Sequence, residues 1–330
     1  MLKDILVPLD GSSFSEHSLP YAVDTARRTG AKLHLVQVHE PPVPSAYPDA
    51  VPAYDERWDG ALRAQEQEYL QSLAHRCMEH AGVSPVTEIL DGPVSKVIAS
   101  YAAETDIDLI VMTTHGRGGI SRAWVGSVAD SLVRRVSVPV MLIRPKEQVL
   151  DWSRGSDARH VLIPLDGSAM AEAILEPAAS LAKRSGARVT LLRIVLPVPF
   201  VIGPHAAGPA YSEAGASQSR ANAAQYLNHT ASLLRARGIA VTVDTVFHTV
   251  PAVGILDYAA THAVDTIAMA THGRGGWSRI ALGSVADKVM RGSMMPVLLY
   301  RPGVGSRTVE PEQAIVPGED RRVEEPCSTP

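Results

Sequence analysis

A glycine-rich stretch that carries two serines and two arginines occurs twice in the chain. It reads THGRGGISRAWVGSVAD over Thr114–Asp130 and THGRGGWSRIALGSVAD over Thr271–Asp287, with 13 of 17 positions identical. Glycine lets an anion approach the backbone because it has no Cβ, and Arg117 and Arg122 add positive charge. A simple turn would not need the same polar side chains in both places. The repeated stretch therefore predicts phosphate binding.

The end of each stretch has the sequence of a helix start. Gly126 and Ser127 precede an apolar face formed by Val128, Leu132 and neighbouring valines. Free N–H groups and the helix dipole at such a start attract anions, and the Ser127 hydroxyl can donate to a phosphate oxygen. Ser127 and Asp130 also have the spacing of a capping box, so a plain turn with a helix cap is the alternative reading.

An aspartate follows an apolar run in each repeat. ILVPLDGS contains Asp10, and VLIPLDGS contains Asp166, 156 positions later. Ligands of open α/β sheets bind beyond the carboxyl ends of strands, where an aspartate can accept hydrogen bonds from a sugar or a base. Capping the next helix is the alternative role, but Ser12 or Ser13 can serve as the cap. We therefore favour a ligand role for both aspartates.

The elements that must position these residues are also repeated. Apolar runs without alternation are typical of parallel strands buried on both faces, and amphipathic stretches separate them. The pattern predicts an α/β protein with two tandem doubly wound parallel-sheet domains. In the first copy we expect strands at 2–8, 32–38, 86–90, 109–113 and 138–143, and helices at 13–28, 60–81, 94–104 and 127–136. The predicted boundaries are 1–146 for the first copy, 147–158 for a linker, 159–303 for the second copy and 304–330 for a disordered tail.

Composition narrows the class of protein. With 330 residues and a net charge of −4, the chain offers no electrostatic case for nucleic acid or an anionic membrane as partner. No apolar stretch approaches the roughly 18 residues that span a bilayer, and the two cysteines cannot form a disulfide framework. We therefore expect a cytoplasmic protein.

Three further features leave alternatives open or are set aside. Proline-rich segments at Glu40–Tyr54 and Pro197–Tyr211 are either lids over a ligand or surface connections. His115 and His272 either touch a ligand or pack in the turn. The group of His75, Cys77 and His80 is poorly aligned for a metal on one helix, so we read it as ordinary helix surface.

The glycine pattern resembles that of the universal stress protein family, over nearly all of residues 1–303. The family's ATP-binding branch has G-x-x-G, nine residues, then G-[ST]. Here Gly116 is followed by Gly126–Ser127 and Gly273 by Gly283–Ser284, while Thr113 and Ala270 replace the first glycine. The resemblance implies a strand order of 3-2-1-4-5 in an adenine nucleotide alpha hydrolase-like fold.

The resemblance, together with the repeated loop, implies an ATP site in each copy. Adenine would lie against the aspartate and the end of the second strand, ribose near the proline and the first-glycine position, and phosphates on the glycine loop and helix start. The residues are Pro8, Asp10, Val38, Thr113, Gly116, Arg117, Gly119, Gly126, Ser127 and Val128, and then Pro164, Asp166, Ile194, Ala270, Gly273, Arg274, Gly276, Gly283, Ser284 and Val285. Gly92 becomes Thr249 in the second copy, so we expect the first copy to bind ATP more tightly.

These observations predict an ATP-binding regulatory or stress-response protein, with Mg²⁺ or Mn²⁺ on the phosphates. Two alternatives stay open: an enzyme that hydrolyses ATP slowly or phosphorylates itself, and a scaffold that no longer uses nucleotide. Efficient phosphoryl transfer needs an oriented base, and the sequence offers none, so no catalytic residue and no protein metal ligand are assigned.

The last strand of each copy is apolar and should lie at a sheet edge. The resemblance implies that single domains pair through these strands, so two copies in one chain can pair internally. We expect Val140, Leu142, Val297 and Leu299 at this seam. Pairing of whole chains into homodimers is a further expectation.

Overall fold

The structure is a computed structural model that describes residues 2–41, 56–114, 125–145, 152, 158–197, 199–200, 210–211, 213–271 and 282–302. The first copy contains strands β1 Asp4–Leu9, β2 Lys32–His39, β3 Val86–Asp91, β4 Leu109–Thr113 and β5 Val140–Ile143. The second contains β6 His160–Pro164, β7 Arg188–Val195, β8 Pro199–Phe200, β9 Ala210–Tyr211, β10 Val241–Phe247, β11 Thr266–Ala270 and β12 Val297–Tyr300. The helices are α1 Leu19–Thr29, α2 Glu56–Ala81, α3 Val94–Glu104 and α4 Ser127–Arg135, then α5 Ala169–Glu172, α6 Leu175–Ser185, α7 Glu213–Arg235, α8 Pro251–Thr261 and α9 Ser284–Gly292.

Ten strands form one sheet in the order β10-β7-β6-β11-β12-β5-β4-β1-β2-β3. Strands within each copy are parallel, and each copy has the order 3-2-1-4-5 when its own strands are counted. The predicted doubly wound fold and strand order are therefore confirmed.

Two apolar cores lie on opposite faces of this sheet, and each extends through both copies. One core receives α1, α2, α6 and α7, with Leu70 and Leu227 fully buried. The other receives α3, α4, α8 and α9, with Leu132 and Val289 fully buried. Each such side chain contributes about 1.5–3 kcal/mol of hydrophobic stabilisation. Burial on both faces explains why the strands show apolar runs without alternation.

The two copies join through β5 and β12, which pair antiparallel. Leu142 lies opposite Val297, Met141 opposite Leu298, and Val140 opposite Leu299. The predicted internal pairing through the last strands is thus confirmed. Charged residues of α4 and α9 flank the seam: Arg291 binds Asp287 at 2.9 Å and approaches Asp130 of the other copy at 3.8 Å.

Trp152, from the predicted linker, packs on the C-terminal end of α2. Its ring stacks on His80 with centroids 4.9 Å apart, and Arg76 Cζ lies 5.4 Å from its centroid. Cys77 points into the core, where burial raises the pKa of its thiol to about 12. Within the described ranges, no group of three or more His, Cys, Asp or Glu could hold a metal ion.

Several element boundaries differ from the sequence prediction. A 3₁₀ turn at Ser15–Ser18 precedes α1, because Pro20 lacks an N–H and fits the first turn of a helix. α2 begins at Glu56 rather than Gly60, since Glu56 and Asp59 complement the helix dipole. β5 starts at Val140 rather than at 138, after Pro139, which cannot donate to a ladder, and β12 likewise follows Pro296.

The second proline-rich segment, predicted as loop, contains the short antiparallel pair β8–β9. The structure does not describe most of either proline-rich segment. Within the predicted linker it describes only Trp152 and residue 158, and residues from 303 onward also lie outside the described residues. No helix in the described part of the chain is long and apolar enough to cross a membrane.

Candidate functional site

The carboxyl ends of β1, β2 and β4 bring the predicted first-copy residues to one edge of the sheet. β1 lies between β2 and β4, so the strand order reverses beside it, which is the usual ligand position in open α/β sheets. Pro8 is near the end of β1, Val38 near the end of β2, and Thr113 ends β4; all three are buried. Asp10 follows β1 and is half-buried.

The second copy repeats this edge with β6, β7 and β11. Pro164 ends β6, Ile194 is near the end of β7, and Ala270 ends β11. Asp166 is half-buried, like Asp10. Thr113 and Ala270, at the first-glycine position, are both 6% exposed, so this position is packed against protein in both copies.

A buried threonine ties the start of α4 to the sheet. Thr114 N–H donates to Ile143 O at 2.9 Å, and Thr114 O accepts from Gly126 N–H at 2.6 Å. In the second copy Thr271 makes the same bonds, at 2.9 Å to Tyr300 O and 2.7 Å from Gly283 N–H. The helix starts are therefore fixed relative to β4 and β11 in the same way.

The capping box of Ser127 and Asp130, the alternative reading of this stretch, does not form. Gly126 is the N-cap, with φ −57° and ψ 148°, and α4 has no side-chain capping bond. Asp130 instead accepts from Arg134 Nε and Nη2, at 2.9 and 3.0 Å. The N-cap lies one residue before Ser127, because an N-cap needs extended backbone and Gly126 has it.

This arrangement gives α4 and α9 the same exposed start. The first helical bond runs from Asp130 N–H to Gly126 O at 3.0 Å, and its counterpart joins Asp287 to Gly283 at 2.9 Å. The three preceding N–H groups therefore have no acceptor within the helix. Ser127 and Ser284 are exposed at these starts, while Val128 and Val285 are half-buried.

Asp10 and Asp166 organise identical turns. Asp10 Oδ1 accepts from Ser12 N–H at 3.0 Å and from Ser12 Oγ at 2.6 Å. Asp166 Oδ1 accepts from the corresponding Ser168 groups at 2.9 and 2.6 Å. The intervening Gly11 and Gly167 have φ of 78° and 77°, a conformation that favours glycine.

The serines of these turns, rather than the aspartates, accept from the N–H groups that follow, and Ser168 is the N-cap of α5. Ser12 Oγ accepts from Ser15 N–H at 3.2 Å, and Ser168 Oγ accepts from Ala171 N–H at 3.1 Å. Neither aspartate is therefore a helix cap, which was their alternative role. Each aspartate orients a serine and stands at the predicted ligand edge.

Part of the predicted site lies outside the described residues. These positions are Gly116, Arg117 and Gly119 in the first copy and Gly273, Arg274 and Gly276 in the second, together with Arg122, His115 and His272. Their predicted roles stay predictions.

The copies differ behind the end of the second strand. Gly92 has φ 124°, and a Cβ there would lie 2.9 Å from Val97 Cγ1. In the second copy Thr249 replaces Gly92 and Gly254 replaces Val97. A Cβ on Gly254 would lie 2.9 Å from His248 Cβ and 3.2 Å from Ile194 Cδ1. The first copy thus has glycine at the first of these two positions and a larger residue at the second, whereas the second copy has the reverse, with Gly254 beside Ile194.

A cluster that the sequence analysis missed lies at the end of β2. His39 Nδ1 is 2.8 Å from Glu66 Oε2, and His39 Nε2 is 2.8 Å from Asp59 Oδ1. Burial disfavours the charged ring, but the hydrogen bonds to Glu66 and Asp59 outweigh it and raise the pKa of His39 above 6.5. Arg63 binds Asp59 and Asp91, and its guanidinium lowers the pKa of Asp91. The seven-residue spacing of Asp59 and Glu66, two turns of one helix, was the available signal.

Comparison with known proteins agrees with the doubled architecture. Residues 1–144 and 158–301 each match the model of the universal stress protein family. A universal stress protein of Mycolicibacterium smegmatis is 27% identical over 301 residues, covering 90% of this chain and 97% of that protein. A putative universal stress protein of Staphylococcus haemolyticus is 31% identical over 147 residues, 44% of this chain and 86% of its own length. The crystal structure of a universal stress protein from Archaeoglobus fulgidus superposes with a TM-score of 0.64 at 21% identity, covering 92% of this chain and 98% of that one, which supports the fold.

Proposed function

This chain belongs to the universal stress protein family, as a tandem two-domain member, and on that basis we propose that it is a regulatory protein of the stress response that binds ATP in each copy. The observation that carries the proposal is the pair of matching helix starts. Ser127 and Ser284 each stand exposed after an N-cap glycine, without a side-chain capping bond, at the carboxyl edge of a parallel sheet. Backbone N–H groups and the helix dipole at such a start favour phosphate.

The other residues divide between the base and the sugar. Adenine lies against Asp10 and the backbone of Val38, and ribose near Pro8 and Thr113. Phosphates bind at the start of α4 and at the glycine loop that precedes it. In the second copy the same parts are Asp166, Ile194, Pro164, Ala270 and the start of α9. The described positions among these lie at one sheet edge within each copy.

Mg²⁺ or Mn²⁺ would enter on the nucleotide. The described residues contain no group of three or more His, Cys, Asp or Glu suited to a metal. Mg²⁺ commonly binds through substrate phosphates with few protein ligands, so this edge is compatible with a metal held mainly by ATP. Such an ion would neutralise phosphate charge.

The first copy should bind ATP more tightly. Gly254 lets His248 approach Ile194, so the wall behind the adenine position is built differently in the second copy. Titration calorimetry with ATP tests this ordering and the proposal. We expect two ATP per wild-type chain, with the tighter site in the first copy.

Two variants assign the sites. Gly126→Asp and Gly283→Asp each place a carboxylate where phosphate would bind, and each should remove one ATP per chain. Both positions have negative φ and are N-caps, where Asp is favoured, so the fold should be retained. Gly238→Asp is the control, since it adds the same side chain in open space beyond the end of α7. Because the φ of 80° at Gly238 strains a side chain, the unfolding free energy of this variant is measured alongside ATP binding.

The possible results separate the alternatives. Unchanged stoichiometry in both variants would overturn the site assignment. No ATP binding by the wild type would favour a nucleotide-free scaffold. Release of labelled phosphate, reduced in each of the two Asp variants and kept in Gly238→Asp, would instead identify a slow ATPase.

A further inference from the structure

The cluster at the end of β2 is buried and charged. His39 is 1% exposed, Asp59 5% and Glu66 6%. His39 is the last residue of β2 and directly follows Val38, whose backbone we assign to adenine. The cluster therefore lies immediately behind the proposed nucleotide site of the first copy.

The geometry favours a protonated His39, because both ring nitrogens lie 2.8 Å from carboxylate oxygens. A neutral imidazole donates from one ring nitrogen only, so it would direct a lone pair at one of the two carboxylates. An imidazolium donates from both nitrogens and compensates two charges that would otherwise be buried without enough partners. The 2.8 Å distances on both sides fit charge-assisted hydrogen bonds.

Arg63 of α2 connects the cluster to β3, so that β2, α2 and β3 are joined in a closed ring of contacts. Its Nε binds Asp59 Oδ2 at 3.1 Å, and its Nη1 binds Asp91 Oδ2 at 3.2 Å. Asp91 ends β3 and lies in register with His39 of β2. The ring thus links β2 to α2, α2 to β3, and β3 back to β2.

The second copy shows that the fold itself does not need this ring. Val195, Ala216 and Ala223 occupy the positions of His39, Asp59 and Glu66. Arg63 has a counterpart in Arg220, which binds Thr245 Oγ1 at 3.0 Å instead. Both copies therefore have the same arrangement of strands and helices, although the first has charged residues at these positions and the second has apolar ones.

We propose that the His39–Asp59–Glu66 cluster is a proton-dependent clamp that positions Val38, so that ATP affinity of the first copy falls as pH rises. His39 is here a positioning residue, and the proposal rests on the ATP site proposed above.

The direction follows from the raised pKa of His39. Stabilisation by a group whose pKa is raised on folding is fully present below the unfolded value, 6.5, and is lost as pH rises through the folded value. When His39 loses its proton, Arg63 is the cation that faces the three carboxylates of the ring, those of Asp59, Glu66 and Asp91. Repulsion then loosens α2 from the end of β2, and the smaller binding-competent fraction lowers apparent affinity.

The test measures ATP affinity of each copy at pH 6.5, the unfolded value of the pKa of His39, and at roughly pH 9, above the range in which most histidines of folded proteins titrate. The full chain with Gly283→Asp reports the first copy, and the chain with Gly126→Asp reports the second. We expect about a tenfold loss of affinity in the first copy, within the range of typical coupling free energies, and a smaller change in the second. The second copy controls for titration of ATP itself.

Two further changes distinguish a clamp from a merely structural contact. Glu66→Gln removes one charge that holds the proton, so the loss of affinity should move to lower pH. The combined change of His39→Val, Asp59→Ala and Glu66→Ala installs the residues of the second copy and should abolish the extra pH dependence. If this triple variant keeps the wild-type profile, or both copies lose affinity alike, the clamp is wrong.

Nitrogen NMR of the His39 ring provides a readout without nucleotide. Both ring nitrogens should carry protons near neutral pH, and a neutral ring there would overturn the proposal. Absence of ATP binding at every pH would overturn the proposed function and the positioning role together. That result differs from ATP binding with an unaltered pH profile, which would overturn the clamp alone.

Discussion

Leu142 of β5 lies directly opposite Val297 of β12, in antiparallel register. Pro139 O and Ile143 O face β4, where they accept from Ile110 and Thr114 N–H groups. Because backbone groups alternate along a strand, those of Leu142 face β12. The two copies are therefore joined by a backbone ladder as well as by apolar side chains.

Proline at position 142 should weaken this seam. Leu142→Pro removes the N–H that faces β12, while Leu142→Ala removes most of the same side chain and keeps the N–H. We expect the alanine variant to lose about 2–5 kcal/mol of unfolding free energy. The proline variant should lose about 1–3 kcal/mol more, because an acceptor on β12 is left without its partner.

Urea unfolding measures these losses, and small-angle scattering should show expansion only for Leu142→Pro. Equal stability and equal dimensions in the two variants would mean that the N–H of Leu142 contributes nothing to the seam.

Ser127 and Ser168 should respond differently to alanine. Ser168 Oγ accepts from Ala171 N–H at 3.1 Å, so Ser168→Ala should cost about 1 kcal/mol of stability. α4 has no side-chain capping bond, so Ser127→Ala should change stability by less than about 0.5 kcal/mol. It should nevertheless weaken ATP binding to the first copy. Thermal unfolding with calorimetry checks both, and a stability loss as large as that of Ser168→Ala would return Ser127 to a capping role.

Two glycines within helices should respond to alanine with opposite signs. On Gly60 of α2 a Cβ meets nothing within 4 Å, so Gly60→Ala should stabilise by about 0.5–1 kcal/mol through helix propensity. On Gly254 of α8 a Cβ would lie 2.9 Å from His248 Cβ, so Gly254→Ala should destabilise by about 1–3 kcal/mol. Denaturant unfolding of the two variants provides the comparison; stabilisation by both would show that His248 and Ile194 yield without cost.

Arg235 protects the outer edge of the sheet. Its Nε and Nη2 donate to Val241 O of β10 at 3.1 and 2.8 Å, and β10 is the terminal strand. Exposed edge groups invite pairing with another chain, so Arg235→Ala should increase self-association. Arg237→Ala removes the same charge nearby, where Arg237 binds Glu176, and should have little effect. Sedimentation velocity over a concentration series decides; equal behaviour of the two variants would remove the protective role.

The sequence predicted the regular parts of the fold because they depend on local patterns. β4 at Leu109–Thr113 and α3 at Val94–Glu104 have the predicted bounds, whereas the seam was predicted from the family resemblance together with the repeated last strands. The sequence left a cap at Ser127 open as an alternative, because the pattern does not show the backbone angles that make Gly126 the N-cap of α4.

The His39 cluster was harder to predict than any element boundary. His39 meets residues 20 and 27 positions further along, across a proline-rich segment. No short-range spacing joins a strand end to a helix in this way, and the partners become evident only when α2 packs on β2.

The antiparallel seam also sets how the two proposed nucleotide sites can communicate. One site lies between β1 and β4 and the other between β6 and β11, which are four strand spacings apart in the sheet. At about 4.8 Å per spacing the lateral separation is roughly 19 Å, more than twice the Debye length of about 8 Å at physiological ionic strength. The charge of one bound triphosphate is therefore screened from the other. Cooperativity between the sites would have to travel mechanically, as a change in strand position carried across β5 and β12.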